Sequence, residues 1–239
     1  MNKLIFLAVF VVAGVAGIAL ATTSHDASKL PVIELTPDNT VVMNDSFDDD
    51  TVAEAQAKFA KLLKKRKNAS YDLYLVLDSP GGSVSAGMRL FEFLRNYEGI
   101  NTITLRSYSM AAMISQLLPG QRYVIESGEF LFHKIKLTIP SPSTPEDNTS
   151  TVEFIRSHEF LIESKVAARA KLTLEYYREK TQVDWILSAQ QAEKQGFVDA
   201  IVSVKCSEAL TSTTTTKTVQ LLPFLPPIDI KVSNCPLML

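Results

Sequence analysis

The 239-residue chain has only two cysteines and three histidines. Neither Cys206 nor Cys235 has a CxxC partner or a neighbouring histidine, so no metal site is expected, and no cofactor. Net charge is scarce as well. Its 24 Lys and Arg against 26 Asp and Glu leave −2, with no basic excess to hold nucleic acid and no acidic tail. No internal repeat is visible. There is one long apolar run, LIFLAVFVVAGVAGIAL at residues 4–20, after Lys3 and before a polar TTSHDASK. A basic start, an apolar stretch and a small-x-small end describe a secretory signal peptide over 1–21. The run is long for that purpose, so an uncleaved membrane anchor is the alternative. Either places the folded body outside the cytoplasm, exported or anchored, with 22–30 as a linker. An exported chain could join Cys206 to Cys235; two unpaired thiols fit equally well.

Hydrophobic residues make up 46% of the chain, enough for one sizeable core. From residue 31 the pattern alternates strand and helix. PVIEL (31–35) and TVVM (40–43) read as strands, and DDDTVAEAQAKFAKLLKKRK as an amphipathic helix with Thr51 to Glu54 spaced as a capping box. YDLYLVLDS (71–79) has the continuous apolar centre of a strand buried on both faces of a mostly parallel sheet. SAGMRLFEFLRNY and SMAAMISQLL read as helices and INTITLRS (100–107) as a strand. RYVIE and EFLFHKIKL read as strands on either side of Ser127-Gly128.

One helical stretch is expected over 151–180, with a box at Ser150 and Glu153. A short helix with a box at Ser188 and Gln191 comes next, and then a last strand, FVDAIVSV. The Thr- and Pro-rich tail, 207–239, has no periodicity and reads as a linker or loose extension. The alternation predicts an α/β domain of βαβ units over 31–206, with its ligand crevice at the C-terminal ends of the strands.

Two loops lie at such ends, Ser79-Pro80-Gly81-Gly82 and Ser107-Tyr108-Ser109. Acyl transfer needs a nucleophile, a base, a group that orients the base, and N–H donors for an oxyanion. The glycine pair leaves main-chain N–H groups open to a carbonyl, and Ser109 begins a helix where unpaired N–H groups favour negative charge. His25 falls in the linker and His158 in the long helix, which leaves His133 as the base; Asp184 is available to orient it. Taken singly, each has a plainer reading: a tight turn for Pro-Gly-Gly, a helix cap for Ser109 and for Asp184, a surface or core residue for His133.

The order of these motifs is what carries a resemblance. A strand running into DSPGGSVSAGM and a helix, then SYSMAAM, FLFH and VDWILSAQQAEKQGFVDAIV, resembles the proteolytic subunit of the Clp protease over roughly 31–204. That family is of serine peptidases with the ClpP/crotonase fold and a long protruding handle helix. The resemblance implies that Ser109 is the nucleophile, His133 the general base and Asp184 the orienting acid, with Gly82 and Met110 supplying the oxyanion-hole N–H groups. It also implies peptide or unfolded-protein substrates and a homo-oligomer of stacked rings assembled through the handle, here EFIRSHEFLIESKVAARAKLTLEYYREK.

The chain departs from the pattern in three places. KIKLTIPSPSTPEDNTS replaces the family's Pro and Gly-Gly segment after the histidine, and LRSY replaces its glycine-containing approach to the nucleophile. The apolar leader stands where the family's ATPase-contacting segment would be, which speaks against an ATPase unfoldase partner. Two other readings keep the fold. One is a Ser-Lys peptidase similar to signal peptide peptidase A, with Lys134 or Lys136 as base. The other is a non-catalytic assembly protein.

Overall fold

The computed structural model describes residues 30–66, 71–136, 145–220, 224 and 226–238. In chain order the elements are β1 (Val32–Leu35), β2 (Thr40–Met43), α1 (Asp49–Lys65), β3 (Leu73–Ser79), α2 (Val84–Leu94), β4 (Ile100–Tyr108), α3 (Met110–Leu117) and β5 (Arg122–Phe132). They continue as α4 (Pro145–Arg169), α5 (Leu174–Lys180), β6 (Trp185–Ser188), α6 (Ala189–Lys194), β7 (Ala200–Cys206), α7 (Glu208–Thr211), β8 (Thr214–Val219) and β9 (Ile228–Ser233). The main sheet runs β1-β7-β5-β4-β3-β2, all parallel, and β6 adds to β5 antiparallel. This is the expected α/β architecture.

The apolar run of β3 explains the layering. Leu73, Leu75 and Leu77 face the core beneath the helices, while Val76 faces a second cluster with Ile103 and Leu35 on the other side of the sheet. A strand buried on both faces has no use for polar alternation. The cover on that second side includes Leu210 of α7 and Cys235. The tail is therefore built into the fold: β8 and β9 pair antiparallel, and a Cys206–Cys235 disulfide closes the 29-residue segment. Closing a loop of that size restricts the unfolded segment by about 3–4 kcal/mol. Replacing both cysteines by alanine is expected to leave the main sheet folded while limited proteolysis of β8 and β9 speeds up.

Three local expectations need correction. Helix α1 starts earlier than its predicted box, because Asp48 is the cap and Thr51 reciprocates from the third position. The two strands expected on either side of Ser127-Gly128 are one, β5, whose pairing with β4 is interrupted between Val124 and Glu129. A side chain on Gly128 would lie 2.4 Å from Val124 Cγ2 and 2.9 Å from the Ile125 carbonyl, both earlier on the same strand, and 2.9 Å from the Thr104 carbonyl, so this glycine sits in a bulge where β5 folds back on itself against β4. The helix expected over 151–180 is two, and the earlier start of α4 at Pro145 puts Ser150 inside it. Lys171 takes a left-handed φ of 59°, and the Leu172 N–H donates to the Ala167 carbonyl at 2.9 Å, closing α4 before Thr173 caps α5.

Arg122, 6% exposed, fixes the start of β5 to the approach to β7. Its side chain donates to both Asp199 oxygens (2.6 and 3.2 Å), to Gln116 Oε1 and to the Gly196 carbonyl. Burial alone would raise the Asp199 carboxyl. The hydrogen bonds and charge of Arg122, helped by Arg169, outweigh it and hold that carboxyl below its ordinary value. A depressed folded value stabilises the protein above the unfolded one, about 3.9, and the benefit fades as pH falls through the folded value. Asp199→Asn is thus expected to be less stable than the parent at pH 7, with the gap narrowing below about pH 4 in urea titrations.

Candidate active site

The loop after β3 is held from below. Ser79 Oγ donates to the Asp45 carbonyl at 2.6 Å and accepts from the Gly81 N–H at 3.1 Å. Phe47 N–H donates to the Gly81 carbonyl (2.8 Å) and the Phe47 carbonyl accepts from Ser83 N–H (2.7 Å). This bridge uses the peptide groups on either side, so the N–H of Gly82 itself points to the opposite edge. Both glycines have positive φ, 91° and 145°. A side chain on Gly81 would lie 2.5 Å from the Tyr108 carbonyl oxygen, 2.7 Å from Ser109 Cβ and 2.9 Å from Met110 N. The Pro-Gly-Gly loop thus abuts the serine turn directly.

Ser109 joins β4 to α3. Its N–H donates to the Leu131 carbonyl (2.8 Å) and its carbonyl accepts from Met113 N–H (3.0 Å), which pins the main chain on both sides. The residue sits at φ 53°, ψ −120°, outside the regions a side-chain-bearing residue prefers, and its side chain makes no capping hydrogen bond. Ser109 thus occupies the N-cap position of α3 without its side chain doing the capping. Holding such a conformation costs about 1–3 kcal/mol, and the surroundings must supply it. Met110 comes next, its side chain buried against Gly87, whose missing Cβ makes room for it. That leaves the N–H of Met110 in the unpaired first turn of α3.

His133 is the first residue beyond β5. It is anchored through Phe132, fully buried against Phe197 (ring centroids 4.6 Å apart), Tyr177 and Trp185. In the β5–β6 register Phe132 faces Trp185, the last pair of the ladder; His133 and Asp184 are the next residues beyond that pair, and past them the Lys134 N–H donates to the Thr181 carbonyl at 3.2 Å. Asp184 precedes a strand and not a helix, so the cap reading fails for it; Ser188 caps α6. Ser109, His133 and Asp184 consequently lie at one end of three adjacent strands, β4, β5 and β6.

The three side chains are not linked by hydrogen bonds among the described residues. His133 Nδ1 lies 2.5 Å from the Lys134 carbonyl and donates to it, leaving Nε2 as the acceptor. Asp184 is exposed, as are Lys134 and Lys136. Beside Gly82 a cleft of about 1020 Å³ opens, lined by Val84 and Met88 of α2, by Leu161 of α4 and by Ile135, which follows β5. The part that Ser79 and Phe47 play in shaping the glycine loop is not legible in the sequence. Ser79 lies within the DSPGG motif, whereas Phe47 sits in a loop with no signal of its own.

The family model described as Clp protease matches residues 25–205. Among curated proteins, the chain is 27% identical over 169 residues to ATP-dependent Clp protease proteolytic subunit 1 of Frankia casuarinae, covering 69% of this chain and 77% of that protein. Subunit 2 of Tropheryma whipplei is 27% identical over 67% of this chain and 89% of its own. Subunit 2 of Rhodococcus jostii is 27% identical over 77% and 93%.

These relatives correct the expected location. They are subunits of an ATP-dependent protease, a description that fits neither export nor anchoring. No helix among the described residues is long and apolar enough to cross a membrane. The apolar run at 4–20, which carried the expectation, lies outside the described residues. The family match begins ahead of β1, ends within β7 and takes in the glycine loop, the serine turn and the strand pair β5–β6: the chain belongs to the Clp protease family of serine-type peptidases.

Proposed function

We propose that the chain hydrolyses peptide bonds of small peptides or unfolded proteins through Ser109, His133 and Asp184. The observation that carries this reading is the strained, uncapped Ser109 pressed against Gly81. Ser109 Oγ attacks the scissile carbonyl while His133 Nε2 takes its proton and later returns it to the leaving amine. The His133 tautomer that donates from Nδ1 is the one this step needs. A turn of the imidazole away from the Lys134 carbonyl would give that N–H to Asp184, whose negative charge then steadies the imidazolium. The N–H groups of Gly82 and Met110 receive the oxyanion; loss of one such donor typically raises the barrier by about 3 kcal/mol.

The cleft beside Gly82 gives an extended peptide an apolar wall. By similarity to the proteolytic subunits, the working form is a homo-oligomer, with α4 as the candidate handle for stacking rings. A lysine base is not favoured, because such a lysine must be desolvated and Lys134 and Lys136 are both exposed. Hydrolysis of short fluorogenic peptides separates the two. His133→Ala is expected to lose at least about a hundredfold in kcat, whereas Lys134→Ala and Lys136→Ala stay within a fewfold of the parent. The reverse pattern would favour the dyad, and activity indifferent to all three would remove the reading.

A further inference from the structure

The LRSY approach to the nucleophile occupies a distinctive level of the sheet. Asp78 pairs in register with Arg106, and Arg106 with Glu129. Both strand pairs shift register here, between Leu77 and Asp78 and between Thr104 and Arg106. Coincident bulges of this kind bend strands and re-aim the residues beyond them. Beyond these bulges lie the glycine loop on β3 and Ser109 on β4.

Two side-chain links cross these bulges. Arg106 Nε donates to Asp78 Oδ1 at 2.9 Å, and the Tyr108 hydroxyl donates to a Glu129 carboxylate oxygen. The first pair is too exposed to matter much for global stability, with side chains 49% and 22% accessible; pairs of that kind contribute about 0–1 kcal/mol. Geometry gives the row another use. The Tyr108 carbonyl oxygen is the closest atom to the open side of Gly81, and the Tyr108–Ser109 peptide carries the N–H that binds Leu131. Wherever the Tyr108 side chain is anchored, that peptide plane is set. The hydrogen bond to Glu129, with some burial, raises the phenol above its ordinary value of 10, so it stays a donor at neutral and mildly alkaline pH.

We propose that Tyr108, anchored on Glu129, is a positioning residue for the Ser109 nucleophile, and that Arg106 and Asp78 tie the same level of the sheet to the strand bearing the glycine loop. The inference rests on Ser109 being the nucleophile. The brace fixes the strained peptide relative to Gly82 and His133 without touching substrate. Displacing a reacting group by about 1 Å can cost on the order of a hundredfold in rate.

The test uses the full chain and measures the rate of acylation by a fluorophosphonate probe beside kcat and KM for a short peptide. Tyr108→Phe is expected to slow acylation and kcat by about ten- to a hundredfold with KM and melting temperature nearly unchanged. Glu129→Ala is expected to do the same, and Glu129→Gln, whose amide oxygen still accepts, to restore most of the rate. The double variant Tyr108→Phe/Glu129→Ala should be no slower than either single, since both remove one link. Acylation of Tyr108→Phe at the parental rate, or losses that multiply in the double variant, would overturn the inference. Either result with an inert Ser109→Ala leaves the nucleophile in place, whereas probe reaction persisting in Ser109→Ala would remove the nucleophile and this inference with it.

Discussion

Ser109→Ala is expected to reduce peptide hydrolysis at least about a thousandfold while the protein melts within about 2 °C of the parent. The first half comes from chemistry: without the hydroxyl no acyl-enzyme forms, and only the modest acceleration that oxyanion donors and binding provide alone survives. The second half comes from the local structure. Ser109 Oγ makes no capping hydrogen bond, so its removal orphans no main-chain donor. Alanine meets the same strain at φ 53° that serine already bears. Purified variant and parent compared for turnover and thermal unfolding settle both halves. A variant that keeps its turnover, or one that fails to fold, contradicts the assignment.

Gly81→Ala should behave differently, losing activity and stability together. Its new methyl would meet the Tyr108 carbonyl oxygen at 2.5 Å, Ser109 Cβ at 2.7 Å and Met110 N at 2.9 Å. Two of these are main-chain atoms that cannot swing aside, and φ 91° is itself unfavourable for alanine. Relief requires the glycine loop and the serine turn to separate, which moves the oxyanion donors away from the hydroxyl. We expect a loss of about 2–4 kcal/mol in stability and at least about a hundredfold in kcat, measured by urea unfolding and peptide hydrolysis. Parental kcat in a folded Gly81→Ala would show that the contact between the two loops has no part in catalysis.

Much of this arrangement was legible because local signals and burial agree. The continuous apolar run of β3, the Ser188–Gln191 box and the periodicity of α2 each specify their element whatever the distant surroundings. Where reading failed, a non-local contact had set the local conformation. Lys171 ends α4 in a left-handed turn that usually announces itself with glycine. Ser127-Gly128 reads as a break between two strands, and only the approach of Val124 and Thr104 identifies it as a bulge within one. The four residues of β6 are too few to show alternation ahead of the α6 cap, so Asp184 reads as a helix cap, and only the pairing with β5 marks the residues after it as a strand. The tail lacks periodicity because its order comes from pairing β8 with β9 and from a covalent link across 29 positions.

For the site itself, the sequence named both loops, but their mutual approach depends on Phe47 and Ser79. That His133 and Asp184 adjoin the Phe132–Trp185 pair depends on a strand register that no local motif encodes.

Peptide mass spectrometry of a covalent fluorophosphonate adduct locates the nucleophile. A single modified peptide carrying the adduct on Ser109 is expected, formed at least about a hundredfold more slowly when His133 is alanine. An adduct on another serine, or an unmodified Ser109 in protein that cleaves peptides, would contradict that assignment.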